Sequence, residues 1–245
     1  MLWPTELYGF YYGSAVVYNN EIHILGGNGG SKKHYKWNGS SWSEVSTLPY
    51  NFNSSCAVVY NNEIHIMGGS NNTNHYKWDG TNWTSVSTLP YICYNGARAV
   101  VYNNEIHIMG GNYGKTRHYK WNGTSWSSVS TLPYEFSLGS AVTVYNDVMH
   151  IMLNTTTIPI DNTHHYKWNG TSWIKATNYC TNLSATDMLI YDNNICVICI
   201  LSTITNYPSA NIVLTASEYQ RSLTHPYEDF AHFEQFKFEY FNKLN

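Results

Sequence analysis

Charge is scarce in this sequence. Lys, Arg, Asp and Glu make up 12% of the 245 residues, and the formal net charge is −3. Proteins that bind nucleic acid present a surplus of Lys and Arg to the phosphates, whereas here 13 such residues stand against 16 Asp and Glu. We therefore expect no nucleic-acid partner.

Long apolar segments are missing as well. The longest fully apolar run, ICVICIL at residues 195–201, is far too short to cross a bilayer as a helix. The first residues, MLWPTELYGFYY, lack the basic region and the continuous apolar stretch of a signal peptide. We expect neither a membrane span nor a signal peptide, which leaves cytoplasmic and virion-associated locations open.

Cysteine is sparse and irregularly spaced. The five are Cys56, Cys93, Cys180, Cys196 and Cys199, an odd number that favours reduced thiols over a disulfide scaffold. Cys196 and Cys199 fall in a predicted strand, where residues three apart point to opposite faces, so we expect no shared metal or redox site there.

Familiar catalytic patterns do not occur either. The sequence contains no H-E-x-x-H, no phosphate-binding G-x-x-x-x-G-K-[ST] and no G-x-S-x-G elbow. We expect a protein that is not an enzyme, with no catalytic residue, metal or cofactor.

What the sequence has in abundance is repetition. AVVYNNEIHI begins at Ala15, Ala57 and Ala99, and drifted copies begin at Val142 and Met188. HYKWNGTSW occurs at residues 118–126 and 165–173, with near copies at 34–42 and 75–83. A period of 42 to 46 residues between equivalent tyrosines fits one four-stranded propeller blade.

Each unit is predicted to contain four short strands, which we call A to D. Strand A is SAVVY, a tight NNE turn leads to strand B, IHIL, and strand C is HYKW. Asn-Gly predicts a type I′ turn between strands C and D. Strand D starts at the next Trp, and the proline of STLPY ends it.

A Gly-Gly pair, a later Tyr, and a Trp seven residues after that Tyr together resemble the kelch repeat. The motif residues are Gly26, Gly27, Tyr35 and Trp42; Gly68, Gly69, Tyr76 and Trp83; Gly110, Gly111, Tyr119 and Trp126; and, in the fourth unit, Tyr166 and Trp173. Leu153 and Asn154 replace the glycines of the fourth unit, and the fifth has Cys199 and Ile200 there. The resemblance spans roughly residues 8–200 and implies a β-propeller.

We therefore expect an all-β, small kelch-like β-propeller of about five four-stranded blades, the last one degenerate. Residues 1–217 would form it, in units near 8–49, 50–90, 91–133, 134–178 and 179–217. The tail, 218–245, has aromatics near helical spacing and is predicted to be a short amphipathic helix. Kelch propellers usually have six or seven blades, so we expect either that residues 2–6 complete the last blade as its strand D, or an open arc whose edges self-associate.

The histidines recur in four of the five units, with Cys196 at the strand B position of the fifth, and this recurrence favours a structural role. His23, His65, His107 and His150 share one position in strand B, and His34, His75, His118 and His165 each begin strand C. Such buried side chains need hydrogen-bond partners, and the Glu of NNE is one candidate.

Residues that differ between units are the candidates for binding. The B–C and D–A loops vary and share one side of each blade, while the A–B and C–D turns hardly vary and share the other. The candidate contact residues are Tyr12, Lys32, Lys33, Phe52, Tyr91, Tyr94, Arg98, Tyr113, Lys115, Arg117 and Phe136. Aromatic rings beside adaptable polar groups suit an unknown protein, peptide or glycan ligand. The alternative is that several of these aromatics fill the junctions between blades.

Two alternatives stay open. Some kelch-like propellers are sugar-processing enzymes or copper oxidases, and Arg98 would be the best single candidate for a sugar site. The chain is also compatible with a truncated or decayed fragment of a longer repeat protein, such as a surface or phage-appendage protein, because the repeat erodes towards residue 200.

Overall fold

The structure, a computed structural model, describes residues 12–27, 31–69, 71–112, 115–136, 138, 140–154, 163–176, 184–191, 194–200 and 211–215. For 154, 163, 164 and the segments from 184 onwards it describes the backbone alone. The chain divides into two compact units, 1–138 and 139–245, and each is treated separately. The predicted strand at residues 2–6 and the predicted helix in 218–245 lie outside the described residues.

The described residues are all-β, with no helix among them. Accordingly, no described segment forms a helix with the length and apolarity that crossing a bilayer requires. The first unit contains twelve strands: β1 Ser14–Tyr18, β2 Glu21–Leu25, β3 Lys33–Trp37, β4 Trp42–Thr47, β5 Cys56–Tyr60, β6 Glu63–Met67, β7 His75–Trp78, β8 Trp83–Ser85, β9 Arg98–Tyr102, β10 Glu105–Met109, β11 His118–Trp121 and β12 Trp126–Ser128.

Seven further strands lie in the described residues of the second unit. They are β13 Ala141–Tyr145, β14 Val148–Asn154, β15 Thr163–Trp168, β16 Trp173–Lys175, β17 Ser184–Tyr191, β18 Asn194–Ile200 and β19 Asn211–Thr215. Strand β18 contains Cys196 and Cys199, as the apolar run predicts.

The strands form antiparallel sheets in simple sequence order. Four sheets have four strands, β1–β4, β5–β8, β9–β12 and β13–β16, and a fifth has three, β17–β19. Each four-stranded sheet corresponds to one predicted A-B-C-D unit. In such a meander the A–B and C–D turns lie at one end of the sheet and the B–C loop at the other.

The A–B turns are the type I′ turns of this chain. Tyr18 pairs with Glu21, so only Asn19 and Asn20 connect the strands, at φ of 50° and 63°. Asn tolerates this left-handed region better than other side chains do, and a type I′ turn needs it twice. The same geometry recurs at Asn61-Asn62, Asn103-Asn104 and Asn146-Asp147.

The C–D turn is a four-residue loop, so the type I′ prediction for Asn-Gly is wrong. Trp37 pairs with Trp42, which leaves four residues between the strands. Gly39 has a φ of +98°, whereas Asn38 does not adopt a positive φ. Instead, the Asn38 side-chain Oδ1 accepts hydrogen bonds from the backbone N–H of Ser40 and Ser41, at 2.9 and 3.0 Å. The carboxamide thus caps the turn.

The core of the first unit lies between successive sheets. One face of each sheet carries the buried histidines, and the opposite face carries isoleucines and a Trp. The His-bearing face of β1–β4 packs against Ile64, Ile66 and Trp78 of the next sheet, and that sheet packs in the same way against Ile106, Ile108 and Trp121. The sequence repeats because the same two faces meet at each junction.

The glycine pairs join each B–C loop to the D–A loop that follows it. Gly68 has a φ of +73°, and a Cβ there would collide with the backbone carbonyl of Cys93. The next residue, Gly69, donates its N–H to that carbonyl at 2.7 Å. Phe52 and Phe136 supply the equivalent carbonyls for the other two pairs in this unit. The prediction that these glycines allow close backbone approach is confirmed.

Candidate functional site

Buried histidine pairs are the most regular polar feature of the structure. His23 Nδ1 lies 2.8 Å from His34 Nε2, and His65 and His75 repeat the contact at 2.8 Å. The pairs His107–His118 and His150–His165 show the same distance. A neutral imidazole has one donor and one acceptor nitrogen, so the two rings can satisfy each other across the strands.

Sheet register explains why these rings meet. His23 pairs directly with Lys36, and His34 lies two residues from Lys36 on the same strand and face. Diagonal neighbours of this kind are far enough apart for two flat rings to fit between them. The prediction that the Glu of NNE is a hydrogen-bond partner of the buried histidines is therefore wrong, because Glu21 binds Lys36 at 2.9 Å instead. Glu63 and Glu105 bind their lysines at 3.0 and 2.9 Å, and the His65 Nε2–Glu63 distance of 3.9 Å is too long for a hydrogen bond.

The histidines are held neutral by burial. Burial lowers the pKa of His34, His75 and His118 to about 3. It lowers the pKa of His65 and His107 to about 4, although the neighbouring Glu partly opposes the shift. Among the described side chains, no group of three or more His, Cys, Asp or Glu is placed to hold a metal ion. These pairs therefore fit a structural role in each sheet.

The loops at the opposite end from the repeated turns form a connected surface. We define the loop face as Tyr12 and the loops 26–32, 48–55, 68–74, 86–97, 110–117 and 129–138, as far as they are described. Within it, Ser54 N–H donates to Tyr12 C=O at 2.8 Å, and Asn95 N–H donates to Ser54 C=O at 2.9 Å. Asn112 N–H then donates to Tyr94 C=O at 3.0 Å. Backbone hydrogen bonds thus link the loops of successive sheets.

Several residues of these loops have left-handed backbone conformations. Among those at the hydrogen-bonded links, Tyr12, Ser54 and Asn95 have φ values of 67°, 48° and 49°. A left-handed conformation is unfavourable for a bulky aromatic residue, and such strain concentrates at functional sites. The Tyr12 side chain is 58% exposed, so this strained position presents an aromatic ring to solvent.

The structure separates the predicted contact residues into buried and accessible ones. Phe52 and Tyr91 are 0% and 4% exposed and fill the two junctions between sheets of the first unit, and Phe136 is also fully buried. Arg117 is exposed and lies over the Tyr91 ring, 5.5 Å from its centroid. Tyr113 lies outside the described residues.

The accessible candidates differ in how firmly they are held. Lys33 belongs to strand β3 and binds Glu44 at 3.2 Å, and Lys115 binds Glu135 at 3.0 Å. Lys32 is exposed and Tyr94 is half-buried. Arg98, half-buried at the start of β9, donates from Nη1 to Ala97 C=O at 3.1 Å.

Tyr134 and Leu138 also belong to the accessible part of the loop face. They are 45% and 49% exposed. Tyr134 occupies the position of Tyr50 and Tyr91, which are less exposed, so the repeat pattern alone favours burial there. Only the structure distinguishes it from its equivalents.

Charge also distinguishes the loop face. In the loop face, the one carboxylate among the described residues is Glu135, and it is paired with Lys115. Lys32 and Arg117 add positive charge, as does Arg98 at the edge of the face. The loop face is therefore locally cationic although the whole chain has a net charge of −3.

Comparison with known proteins adds little to this description. No family model matches the sequence, and no curated protein matches it. Among solved structures, the chain is similar to one titled "Structure of YjhT", at 10% identity and a TM-score of 0.45. That likeness covers 85% of this chain and 95% of the other, and it carries no argument about function.

Proposed function

We propose that the chain is a non-catalytic recognition module, a small kelch-like β-propeller that binds a protein, peptide or glycan through its loop face. The tandem four-stranded sheets support the propeller. So does their arrangement within each unit, because first strands are neighbours: β1 lies beside β5, β5 beside β9, and β13 beside β17. Innermost strands are neighbours in this way when blades radiate from a common axis.

The proposed ring has about five blades. The three-stranded sheet β17–β19 would be the core of the last blade. In the proposal, residues 2–6 complete it as a fourth strand; the open arc, with self-association through its edges, is the alternative.

The hydrogen-bonded chain of loops is the observation that carries the binding proposal. Loops linked through Tyr12, Ser54 and Asn95 lose little further freedom when a ligand binds, and preorganisation of this kind lowers the cost of association. The repeated side chains beneath them are engaged in packing. The loop face is thus a rigid support for side chains that vary from one sheet to the next.

Tyr94 and Arg98 are the residues that best fit a contact role. They are half-buried, so their positions are defined while part of each side chain stays accessible. Arg98 is not repeated: the equivalent residue is Ser14, Cys56 or Ala141 in the other sheets. A Tyr ring and a guanidinium on one face suit stacking and hydrogen bonding to a sugar or peptide.

An array experiment tests the proposal. The full chain is applied to immobilised neutral and acidic oligosaccharides and to a peptide library, beside the variant Tyr94→Ala/Arg98→Ala. We expect the wild type to bind a subset of ligands, and the variant to bind them at least about tenfold more weakly, as central interface residues do. Its melting temperature should stay within about 2 °C of the wild type, because surface substitutions change stability little.

Two results would overturn the proposal. One is unchanged affinity of the variant for the ligands that the wild type binds. The other is chemical conversion of a bound sugar, or stoichiometric copper in the purified protein, either of which would make the chain an enzyme.

A further inference from the structure

Two buried thiols face each other in the second sheet. Cys56 begins strand β5, and Cys93 lies in the loop that leads to β9. Their Sγ atoms are 4.0 Å apart, and the residues are 4% and 0% exposed. Both are free in the structure.

Both cysteines differ from the residues at the equivalent positions of the other sheets, and these two positions contact each other. Cys56 stands where the other four-stranded sheets have Ser14, Arg98 and Ala141. Cys93 stands where the neighbouring loops have Phe52 and Phe136, both fully buried. A position that the blade needs as Phe elsewhere has become a thiol here, opposite a second thiol. The thiol pair is therefore a feature that the other four-stranded sheets lack.

The backbone holds the two residues in place. Cys56 pairs with Met67 in the ladder between β5 and β6. Two residues beyond Met67, Gly69 N–H donates to Cys93 C=O at 2.7 Å. Strand β6 and the loop that follows it thus hold the backbones of both cysteines. Since a disulfide has an S–S distance of about 2.05 Å, each sulfur needs to move by roughly 1 Å, which a side-chain rotation supplies.

We propose that Cys56 and Cys93 form a reversible oxidation site, at which a peroxide converts the two thiols into a disulfide. Hydrogen peroxide accepts two electrons: two S–H bonds and the O–O bond break, the S–S bond forms, and two water molecules leave. Cys56 reacts first, giving a sulfenic acid and one water. Cys93 then attacks the Cys56 sulfur and releases the second water. This site is independent of the proposed recognition function.

The surroundings agree with that order. The hydrogen bond from Cys56 and burial raise the pKa of the Cys93 thiol, so it keeps its proton while peroxide reacts, and that proton leaves with the sulfenic-acid oxygen as water in the second step. The slight exposure of Cys56 makes it the sulfur that an oxidant reaches first. Because the new bond would tie β5 to the loop that carries Tyr94, oxidation should also make the protein harder to unfold.

Peptide mapping tests the site directly. The full chain is treated with hydrogen peroxide below its melting temperature, its remaining thiols are alkylated, and its peptides are analysed by mass spectrometry. We expect a cross-linked pair of peptides containing Cys56 and Cys93, lacking two hydrogens and restored by dithiothreitol. The melting temperature of the oxidised protein should rise by several degrees.

The chain offers its own matched control. Cys56→Ser/Cys93→Phe reproduces the residues of the first sheet, Ser14 and Phe52, and keeps the other three cysteines. Peroxide should neither cross-link this variant nor change its melting temperature. Oxygen added to Cys56 or Cys93 of the wild type without a link between them would overturn the proposal. So would links that involve only the other cysteines, and these wild-type readouts hold whether or not the variant folds.

Discussion

At the scale of the residue, the paired imidazoles explain why eight histidines recur in a chain with so little charge. Each pair satisfies one nitrogen of each ring, and each ring also packs against aromatics. His34 meets Trp78 of the next sheet edge-on at 4.8 Å, and His75 meets Trp121 at 5.3 Å. In the first two sheets, the imidazoles thus join two strands within a sheet and contact the following sheet.

At the junction between the first and second sheets, the His–His pair continues into further hydrogen bonds that the next junction does not repeat. Trp83 Nε1 donates to Ser46 Oγ at 3.0 Å, and Ser46 Oγ lies 2.9 Å from His34 Nδ1. In the second sheet the equivalent Ser87 donates to its neighbour's carbonyl instead. A bulge next to His34 lengthens β4 and brings Ser46 opposite the imidazole, and β8 ends too early for this.

The free energy of unfolding lost per histidine replaced should be greater when one member of a pair is removed than when both are. His65→Leu leaves His75 Nε2 buried without its partner, and we expect the free energy of unfolding to fall by about 1–3 kcal/mol. The double variant His65→Leu/His75→Leu should lose less than the sum of the two single variants. Urea unfolding at pH 7.5 measures all four proteins, and strict additivity would show that the pair has no coupling.

At the scale of the element, the two hairpins of each sheet use Asn in different ways. In the A–B turn, Asn supplies two left-handed backbone residues, as at Asn61 and Asn62. In the C–D turn, the Asn or Asp side chain accepts two backbone hydrogen bonds. Asp79 does so at 2.8 Å from both Thr81 and Asn82, which holds the pKa of its carboxyl below the usual value.

The C–D turn therefore requires an acceptor oxygen rather than an amide. Asn122→Ala removes the acceptor for the Thr124 and Ser125 N–H groups, both at 2.9 Å, and we expect a loss of about 1 kcal/mol. Asn122→Asp should leave the free energy of unfolding unchanged at pH 7, since Asp79 does the same in the second sheet. Equal losses in the two variants, measured by thermal unfolding, would contradict this account of the turn.

The sequence predicts these elements well and their contacts poorly. Strands A to C of the first three units follow from the alternation in AVVYNNEIHI and HYKW, because each sheet buries alternate side chains on a known face. The His–His pairs were missed because they depend on an offset of two residues between strands B and C. The approach of Cys56 to Cys93 was missed for a similar reason, since loop geometry decides it and no repeat encodes it.

At the scale of the whole molecule, burial of so many neutral histidines makes stability depend on acidity. In the unfolded chain a His titrates near pH 6.5, whereas the pKa values of five of them in the fold are about 3 or 4. Between these limits the unfolded chain binds more protons. Stability should therefore be complete above about pH 7 and fall as the pH decreases towards 4.

The size of this effect is measurable. Each extra proton bound by the unfolded chain lowers the free energy of unfolding by about 1.4 kcal/mol per pH unit. Urea titrations at pH 7.5, 6 and 5 should show a slope that exceeds one proton. The slope should be smaller in His65→Leu/His75→Leu, and a free energy that stays constant across this range would be the opposite outcome.

The proposed recognition function rests on residues that the repeats do not share. The turns at one end of each sheet hardly vary, and the loop face at the other end holds the strained Tyr12 together with Tyr94 and Arg98. In the proposed function, ligands bind at the loop face only. A matched pair of double variants, one in the loop face and one in the turns at the other end, distinguishes binding at the two ends.

The decisive measurement is the dissociation constant of the tightest array ligand for these variants. Tyr94→Ala/Arg98→Ala alters the loop face, and Thr81→Ala/Asn82→Ala alters an exposed C–D turn whose backbone contacts to Asp79 remain. We predict at least about tenfold weaker binding for the first variant and an unchanged dissociation constant for the second. Equal weakening, or weakening in the turn variant alone, would contradict the assignment of binding to the loop face.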